Sequence, residues 1–407
     1  MAYRTPFRIR PATLTLRSAL AAVLALTLSA CGAAGGASTD ADDLADTTLD
    51  SDPSSTPESD GAPDAEATVS KAQNPSSAFN SISAGPSYAC GVTTSGGVSC
   101  WGANGFDVLG DGSGVNSRAR PGPVPGVSGA ASVATGTFAA CAVKTNRTAQ
   151  CWGSLGDAQG KPKAFPLTNL KALLPSELAV CALLQDGTVR CTTSGQVLTE
   201  FVTVTVFPGR VKSLDGGPGS HYCALVDGGG NDRVSCFGTN NNINGEGQLG
   251  NQGSPNRFAA QEVPEVRGAK QVTVGAAHSC ALVGSDVFCW GSNGALQLGN
   301  FDASSATPQK VAGLGKVKAI DAGAAHTCAL LDNGNVRCWG DVYGAEPFQV
   351  DGVSKAASVS AGSDFACIVD SNHAGFCFGN NDFGQLGNPV PADTNGETDL
   401  FPGTRVL

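Results

Sequence analysis

Hydrophobic positions alternate in a short pattern that recurs seven times between residues 79 and 407. Each copy is centred on two cysteines, and an apolar residue stands two positions after the first of them. Those apolar residues are Val92, Val143, Leu183, Leu225, Leu282, Leu330 and Val369. The intervening position, on the other face of an extended strand, carries Gly91, Ala142, Ala182, Ala224, Ala281, Ala329 or Ile368. This two-residue period predicts a β-hairpin with both faces buried, one of them under a close neighbour.

Cysteine spacing predicts which residues face each other in each hairpin. The pairs are Cys90 with Cys100, Cys141 with Cys151, Cys181 with Cys191, Cys223 with Cys236, Cys280 with Cys289, Cys328 with Cys338, and Cys367 with Cys377. Opposed residues on antiparallel strands lie within disulfide reach. When the two cysteines are 10 positions apart, the loop between the strands must have an odd number of residues, and Gly is favoured at its third position. Loops 94–96, 185–187 and 332–334 end in Gly, whereas Arg147 and His373 fit that position less well. Cys280 and Cys289 are 9 positions apart, so their loop must have an even number of residues, and Gly284-Ser285 stands at its centre.

One disulfide within each hairpin accounts best for this match between spacing and turn chemistry. Seven two-cysteine metal half-sites are disfavoured because the CxxC spacing of zinc sites is absent. Pairing between copies would leave the match unexplained, and reduced thiols conflict with the export signal described below. Seven hairpin copies over residues 79–407 leave about 47 residues each, room for four short strands. The predicted fold is therefore all-β, a seven-bladed β-propeller with one intra-hairpin disulfide per blade.

Residues 1–31 have the features of an export signal. Arg4, Arg8, Arg10 and Arg17 precede the uncharged apolar segment 19–30, which is too short to span a membrane. The segment ends Leu-Ser-Ala-Cys31, which resembles a bacterial lipoprotein signal (lipobox). That resemblance implies cleavage before Cys31, lipid attachment to its thiol, and anchoring at the outer membrane or cell surface. An ordinary secretory signal with a nearby cysteine is the alternative.

Residues 32–78 are predicted to form a disordered acidic linker. The segment is rich in Asp, Ala, Ser, Thr and Pro, and Lys71 is its one basic residue. Such a composition cannot bury enough apolar surface to offset the entropy lost on ordering. We interpret it as a solvated spacer between the membrane and the propeller domain at 79–407; a cation- or partner-binding tail is the alternative.

Composition narrows the classes of function. Net charge is −10, pI is about 4.8, and charged residues make up only 15% of the chain. Nucleic-acid binding is disfavoured because it requires a basic surface. Fifteen cysteines favour an oxidising compartment.

Each clear copy reads Ala-Gly-x-x-His-Ser/Thr-Cys-Ala-Leu, then Asn-Gly-x-Val, then Trp-Gly, as in residues 322–340. Trp101, Trp152, Trp290 and Trp339 each follow the second cysteine of a pair, and Phe237 and Phe378 take that place in two further copies. A Gln-Leu-Gly tail follows at 248–250, 297–299 and 385–387, with a weaker Leu-Gly at 109–110. These motifs resemble the regulator of chromosome condensation repeat family, which implies a seven-bladed propeller. The paired cysteines depart from the eukaryotic pattern and look like an oxidised, exported bacterial variant. We also expect the C-terminal end, 401–406, to pair into the first blade and clasp the ring.

Three of the four histidines, His221, His278 and His326, share one repeat position. Convergent histidines can hold a metal, but these stand in different copies, and the resemblance implies a structural hydrogen-bonding role. Tyr88, Ala139, Ala179 and Phe365 take that position in the other copies. We therefore expect no metal, no cofactor and no catalytic residue.

Three functions remain open from the sequence. The first, which we favour, is a lipid-anchored propeller that is not an enzyme and holds a protein partner on one face of the ring. The second is a carbohydrate- or envelope-binding surface protein that uses Asn-rich loops at 238–242 and 380–382 to bind a glycan. The third is the nucleotide-exchange activity of eukaryotic relatives, or a hydrolase. Exchange requires a cytosolic GTPase, which an exported lipoprotein does not meet, and no catalytic motif for hydrolysis occurs in the sequence.

Overall fold

The computed structural model describes residues 78–176, 179–192, 201–204, 207–217, 219, 221–240, 247–250, 257–389 and 401–406, without the side chains of 257–258 and 401–405. The predicted signal, the lipid site Cys31 and the acidic linker lie outside these residues, so the domain limits at 31 and 78 stay predictions.

The described chain forms seven four-stranded antiparallel sheets, each built from four consecutive strands. Blades 1 to 3 contain β1 (Phe79–Ala84), β2 (Tyr88–Thr93), β3 (Val98–Ala103), β4 (Ser117–Pro123); β5 (Ala130–Thr135), β6 (Ala139–Lys144), β7 (Ala149–Gly153), β8 (Lys163–Ala164); and β9 (Leu170–Pro175), β10 (Val180–Leu184), β11 (Val189–Thr192), β12 (Phe201–Thr203). Blades 4 and 5 contain β13 (Val211–Gly216), β14 (His221–Val226), β15 (Arg233–Gly238), β16 (Arg257–Val263); and β17 (Ala269–Val274), β18 (His278–Val283), β19 (Asp286–Gly291), β20 (Ser305–Lys310). Blades 6 and 7 contain β21 (Val317–Ala322), β22 (His326–Leu331), β23 (Val336–Gly340), β24 (Gly344–Gln349); and β25 (Ala356–Ala361), β26 (Phe365–Asp370), β27 (Gly375–Gly379), β28 (Phe401–Arg405). Two short 3-10 helices, Pro264–Val266 and Asp341–Tyr343, complete the described elements. Within the described ranges, no helix has the length and apolarity needed to cross a membrane.

The two cysteines of every pair lie opposite each other on the second and third strands of a blade. All seven pairs form disulfides, with Cα atoms 4.0 to 4.1 Å apart. In chain order, the bonds join Cys90 to Cys100, Cys141 to Cys151, Cys181 to Cys191, Cys223 to Cys236, Cys280 to Cys289, Cys328 to Cys338, and Cys367 to Cys377. The expected pairing and the seven-bladed fold are therefore confirmed.

The hairpin turns between cysteines ten residues apart keep one geometry whether or not glycine stands at the third position. Gly96 and Gly334 adopt the left-handed conformation at the third turn position. Arg147 and His373 adopt it as well, with φ of 66° and 65°. The register of the two strands therefore overrides the unfavourable turn residue in these two copies.

The hydrophobic core is divided into seven layers, one between each pair of neighbouring blades. The second and third strands are buried on both faces because each sheet is covered by a blade on either side. This arrangement explains how a domain of this length is stabilised without one large central core.

The ring closes differently from our expectation. Strand β28 pairs with β27 of the seventh blade, with Thr404 opposite Cys377, so the prediction that it enters the first blade is wrong. The first blade already has four strands because the chain enters at β1, whereas the seventh blade needs residues 401–405 to complete its sheet. Closure is made by contacts between the two blades: the Phe79 N–H donates to the His373 carbonyl at 2.8 Å, and the Ala84 N–H donates to Ser360 Oγ at 3.0 Å.

Candidate interaction surface

The alternating strand direction sorts the connections onto two faces of the ring. We call the face with the loops between first and second strands and between third and fourth strands the loop face. The opposite face, with the hairpin turns between second and third strands and the connections between blades, is the turn face. Backbone hydrogen bonds tie the two kinds of loop together on the loop face, for example Ser292 N–H to Ala277 O at 2.8 Å and Asn380 N–H to Asp364 O at 3.1 Å. In blades 1 and 5 the loop between third and fourth strands is the longer of the two, with residues 104–116 and 292–304.

Four long loops are held by an asparagine near their start. The side-chain oxygens of Asn104, Asn240, Asn293 and Asn381 accept the backbone N–H groups of Leu109, Leu249, Leu298 and Leu386, at 2.8 to 3.2 Å. These leucines belong to the Leu-Gly tails identified in the sequence. Asn240 and Asn381 are among the residues that suggested glycan binding, and Asn380 donates to Asp382 at 2.8 Å. These bonds stabilise the loops themselves; Asn241 and Asn242, the other asparagines of the glycan hypothesis, lie outside the described residues.

Each tryptophan links its blade to the long loop of the preceding blade. The indole N–H groups of Trp101, Trp152, Trp290 and Trp339 donate to the carbonyls of Gln385, Val108, Gln248 and Gln297, at 2.8 to 3.1 Å. The tail glycine two residues after each carbonyl has a positive φ, and at Gly110 a Cβ would come within 2.5 Å of the Trp152 ring. Where the preceding blade lacks the tail, the tryptophan is replaced by Phe237, Phe378 or Thr192. The two sequence motifs are thus the two halves of one contact between blades.

The three repeat histidines also join neighbouring blades. His221 Nε2 lies 2.9 Å from Ser279 Oγ, His278 Nε2 lies 2.8 Å from Thr327 Oγ1, and His326 Nδ1 lies 3.2 Å from the Ser363 carbonyl. Burial lowers the pKa of His221 and His326 to about 4 and that of His278 to about 3, so all three are neutral at pH 7. The part of the chain that the structure describes contains no group of three His, Cys, Asp or Glu residues placed to hold a metal ion. This geometry is the structural role that the family resemblance implies.

The first strands of the seven blades line a central channel that encloses a cavity of about 460 Å³. Two aspartates on these strands, Asp215 and Asp321, face it. Asp215 accepts the Val274 N–H at 3.0 Å, and Asp321 accepts the Ala361 N–H at 2.8 Å, in each case from the next blade. Burial, together with the nearby charge of Asp215, raises the pKa of Asp321 to about 7. Both carboxyls therefore serve the junctions between blades.

Hydroxyl groups at the same strand position make equivalent contacts at three further junctions. Ser83, Thr273 and Ser360 accept the backbone N–H groups of Thr135, Ala322 and Ala84, at 3.0 to 3.2 Å. The sequence analysis did not identify these polar contacts between blades. The available signal was a polar residue at the fifth position of the strand that precedes five of the seven hairpins, two positions before a glycine.

Large apolar side chains are exposed along one sector of the loop face. Phe301 is 77% exposed, Phe106 53%, Phe383 49% and Val342 42%. They stand in the connections between third and fourth strands of blades 5, 1, 7 and 6, which are four consecutive blades of the ring. We call these four residues the apolar arc. Exposed apolar side chains grouped on one face are typical of protein-binding surfaces.

Disulfide-bonded blades, contacts around the whole ring and exposed loops on one face define a seven-bladed β-propeller of the kind commonly used for binding or regulation. The family model for the regulator of chromosome condensation (RCC1) repeat matches residues 79–107, 317–341 and 356–385, in blades 1, 6 and 7. The chain is thus a seven-bladed β-propeller in which blades 1, 6 and 7 match the RCC1 repeat.

Solved structures of similar fold include RCC1 proteins. Prp20p of Saccharomyces cerevisiae, described with its binding to Gsp1p and histones, is 19% identical with a TM-score of 0.64, over 81% of this chain and 87% of that one. Yeast RCC1 (Prp20) bound to Kap60 is 18% identical with a TM-score of 0.63, over 80% and 85% of the two chains. Human WBSCR16 is 17% identical with a TM-score of 0.63, over 77% and 94%. These similarities show the fold. No curated protein matches the sequence significantly.

Proposed function

We propose that this protein is a lipid-anchored protein-binding module of a bacterial cell envelope, not an enzyme, and that its loop face holds a protein partner. The observation that carries the proposal is the apolar arc, in which Phe301 and Phe383 are exposed on long loops of a ring that is otherwise well packed. Exposed aromatic side chains on a rigid scaffold lose little entropy when a partner covers them.

The structural relatives support the same reading. Yeast RCC1 binds Kap60, and Prp20p is described with Gsp1p and histones, so propellers of this fold are used to bind proteins. The disulfides and the contacts between blades hold the loops of the present ring in place, as a binding scaffold requires.

The cellular location is proposed from residues 1–78. Lipid attached to Cys31 would hold the chain at the membrane, and the acidic linker would act as a spacer. Cys31→Ala tests this: it should abolish incorporation of labelled palmitate and release the protein from the membrane fraction. Unchanged labelling and membrane retention would contradict the anchor.

A pull-down tests the binding function. The oxidised chain is immobilised and exposed to an envelope extract, with a reduced and unfolded sample as control. We expect one or two proteins to be enriched on the folded bait only. Phe301→Ser together with Phe383→Ser should abolish the enrichment. The control is Phe348, whose side chain is 49% exposed but lies outside the apolar arc, so Phe348→Ser should preserve the enrichment. Enrichment of nothing, or equal loss in both variants, would overturn the proposal.

A further inference from the structure

We propose that the apolar arc and the acidic residues around it bind a positively charged, apolar segment of the partner protein, with a Lys or Arg side chain inserted at the junction of blades 6 and 7. This inference rests on the proposed function, because it names the surface and the partner chemistry that the binding module would use.

The first observation is that each member of the arc has an aspartate beside it in sequence. Asp107 follows Phe106, Asp302 follows Phe301, and Asp341 and Asp382 precede Val342 and Phe383. Two contacts join neighbouring blades in this sector: the Asp341 N–H donates to the Ala295 carbonyl of the blade 5 loop, and Gly384 of the blade 7 loop lies against Ala119 on β4 of blade 1. An apolar and an acidic residue therefore stand next to each other on each of four consecutive blades.

The second observation is a difference in charge between the two faces. The described connections of the loop face carry seven acidic residues and one basic residue, Lys161. Of the acidic residues, Asp111 pairs with Arg118 on β4. The acidic residues are Asp107, Asp111, Asp157, Asp302, Asp341, Asp364 and Asp382. The described connections of the turn face instead mix acidic residues with Arg147, Arg210, Arg267, Lys316 and Lys355. The loop face is thus complementary to a cationic partner and repels nucleic acid and anionic lipid.

The third observation is a pair of buried polar atoms without partners at the junction of blades 6 and 7. Within the described residues, neither Asp364 Oδ1 nor the Tyr343 hydroxyl has a hydrogen-bond partner, although Tyr343 is only 9% exposed. Burial raises the pKa of Asp364, and the negative charges of Asp382 and Asp341 raise it further. Burial raises the pKa of the Tyr343 hydroxyl, and the negative charges of Asp364 and Asp341 raise it further.

Unsatisfied buried polar atoms are costly, and a ligand that pairs them recovers that cost. An ammonium or guanidinium group supplies several donors and a positive charge, which suit two acceptors among three carboxylates. A metal ion is a poorer match because no set of metal ligands is assembled among the described residues. The neighbouring Phe383 and Val342 would cover the aliphatic part of such a side chain.

Fluorescence anisotropy with labelled twelve-residue peptides tests the inference on the full oxidised chain. The probes are a peptide of alternating Lys and Phe, its Glu/Phe counterpart, and a Lys/Ser counterpart. We expect the Lys/Phe peptide to bind about tenfold tighter than either of the others, and the preference over the Glu/Phe peptide to shrink at about 0.5 M salt because charges become screened.

Variants locate the binding. Asp302→Asn with Asp341→Asn should weaken Lys/Phe binding about 2- to 30-fold, whereas Asp332→Asn with Asp351→Asn on the turn face should leave it unchanged. Tyr343→Phe should weaken binding about 2- to 10-fold without lowering the melting temperature, because none of the described residues forms a hydrogen bond with the hydroxyl. If the Tyr343 hydroxyl were only structural, Tyr343→Phe would lower the melting temperature and leave peptide binding unchanged.

The outcomes separate this inference from the proposed function. Equal affinity for the three peptides, or equal loss in loop-face and turn-face variants, overturns the cationic-segment inference. If the pull-down then still depends on Phe301 and Phe383, the binding module stands without it. Selective Lys/Phe binding with nothing enriched in the pull-down supports the surface and overturns the proposed function.

Discussion

Replacing Trp101 by Phe tests the hydrogen bonds that close the ring. The Trp101 indole is fully buried, and its N–H donates to the Gln385 carbonyl at 2.9 Å, across the junction of blades 7 and 1. The described residues give this carbonyl no second donor. Trp101→Phe therefore leaves a buried carbonyl unsatisfied, which costs about 1–3 kcal/mol in addition to the lost ring volume.

Trp290 provides a matched control. It is also fully buried and donates to the Gln248 carbonyl, but that carbonyl accepts a second hydrogen bond from Ser279 Oγ at 3.0 Å. Trp290→Phe removes the same part of an indole ring and leaves the carbonyl with a donor. We therefore expect Trp101→Phe to be more destabilising than Trp290→Phe by about 1–3 kcal/mol. Adding Ser279→Ala to Trp290→Phe should remove most of the difference.

The assay is equilibrium unfolding of the oxidised chain in guanidinium chloride, supported by calorimetry. With an unfolding entropy of about 2.1 cal/mol/K per residue over roughly 330 residues, the expected difference between the two variants is about 1.5–4 °C in Tm. Equal destabilisation of the two variants would refute the reasoning, because the unsatisfied carbonyl would then contribute nothing measurable.

Three further predictions concern the turns, the channel and the disulfides. Gly299→Ala should cost about 1–3 kcal/mol more than Gly313→Ala in chemical unfolding, because both have a positive φ but only at Gly299 would a Cβ meet Val311 and the Trp339 ring; equal costs would contradict this. Asp321→Asn should flatten the dependence of Tm on pH. The pKa of Asp321 is raised to about 7 in the folded state, so the contribution of this carboxyl to stability is lost as pH rises from about 4 through 7. An unchanged slope of Tm against pH would contradict this. Replacing Cys181 and Cys191 by Ala should lower the free energy of unfolding by about 2.5–3 kcal/mol, since it opens one hairpin bridge; an unchanged denaturation midpoint would contradict it.

Much of the blade could be predicted because its signals are local. Strand pairing in a hairpin depends on residues about ten positions apart, so alternation, cysteine spacing and turn glycines fix the register together. Arg147 and His373 show the strength of this constraint: they adopt the left-handed turn conformation although neither is glycine.

Contacts between blades could not be predicted in the same way. The resemblance supplied the tryptophans and the Leu-Gly tails as separate motifs, yet Trp101 and Gln385 meet across 284 positions of sequence. The prediction that residues 401–406 pair into the first blade failed for a similar reason. Residues 401–405 form a strand in either arrangement, and only the number of strands in blades 1 and 7 decides which sheet receives it.

The sequence by itself determined the repeat, the number of blades, the disulfide pairing and the class of fold, because each depends on a periodic pattern along the chain. Tertiary structure alone decided how the ring closes, which polar residues join the blades around the channel, and that Phe106, Phe301, Val342 and Phe383 share one sector of one face. Those four residues come from four different blades, and only the closure of the ring makes these blades consecutive. The binding surface is therefore a property of the assembled ring, and no single repeat contains it.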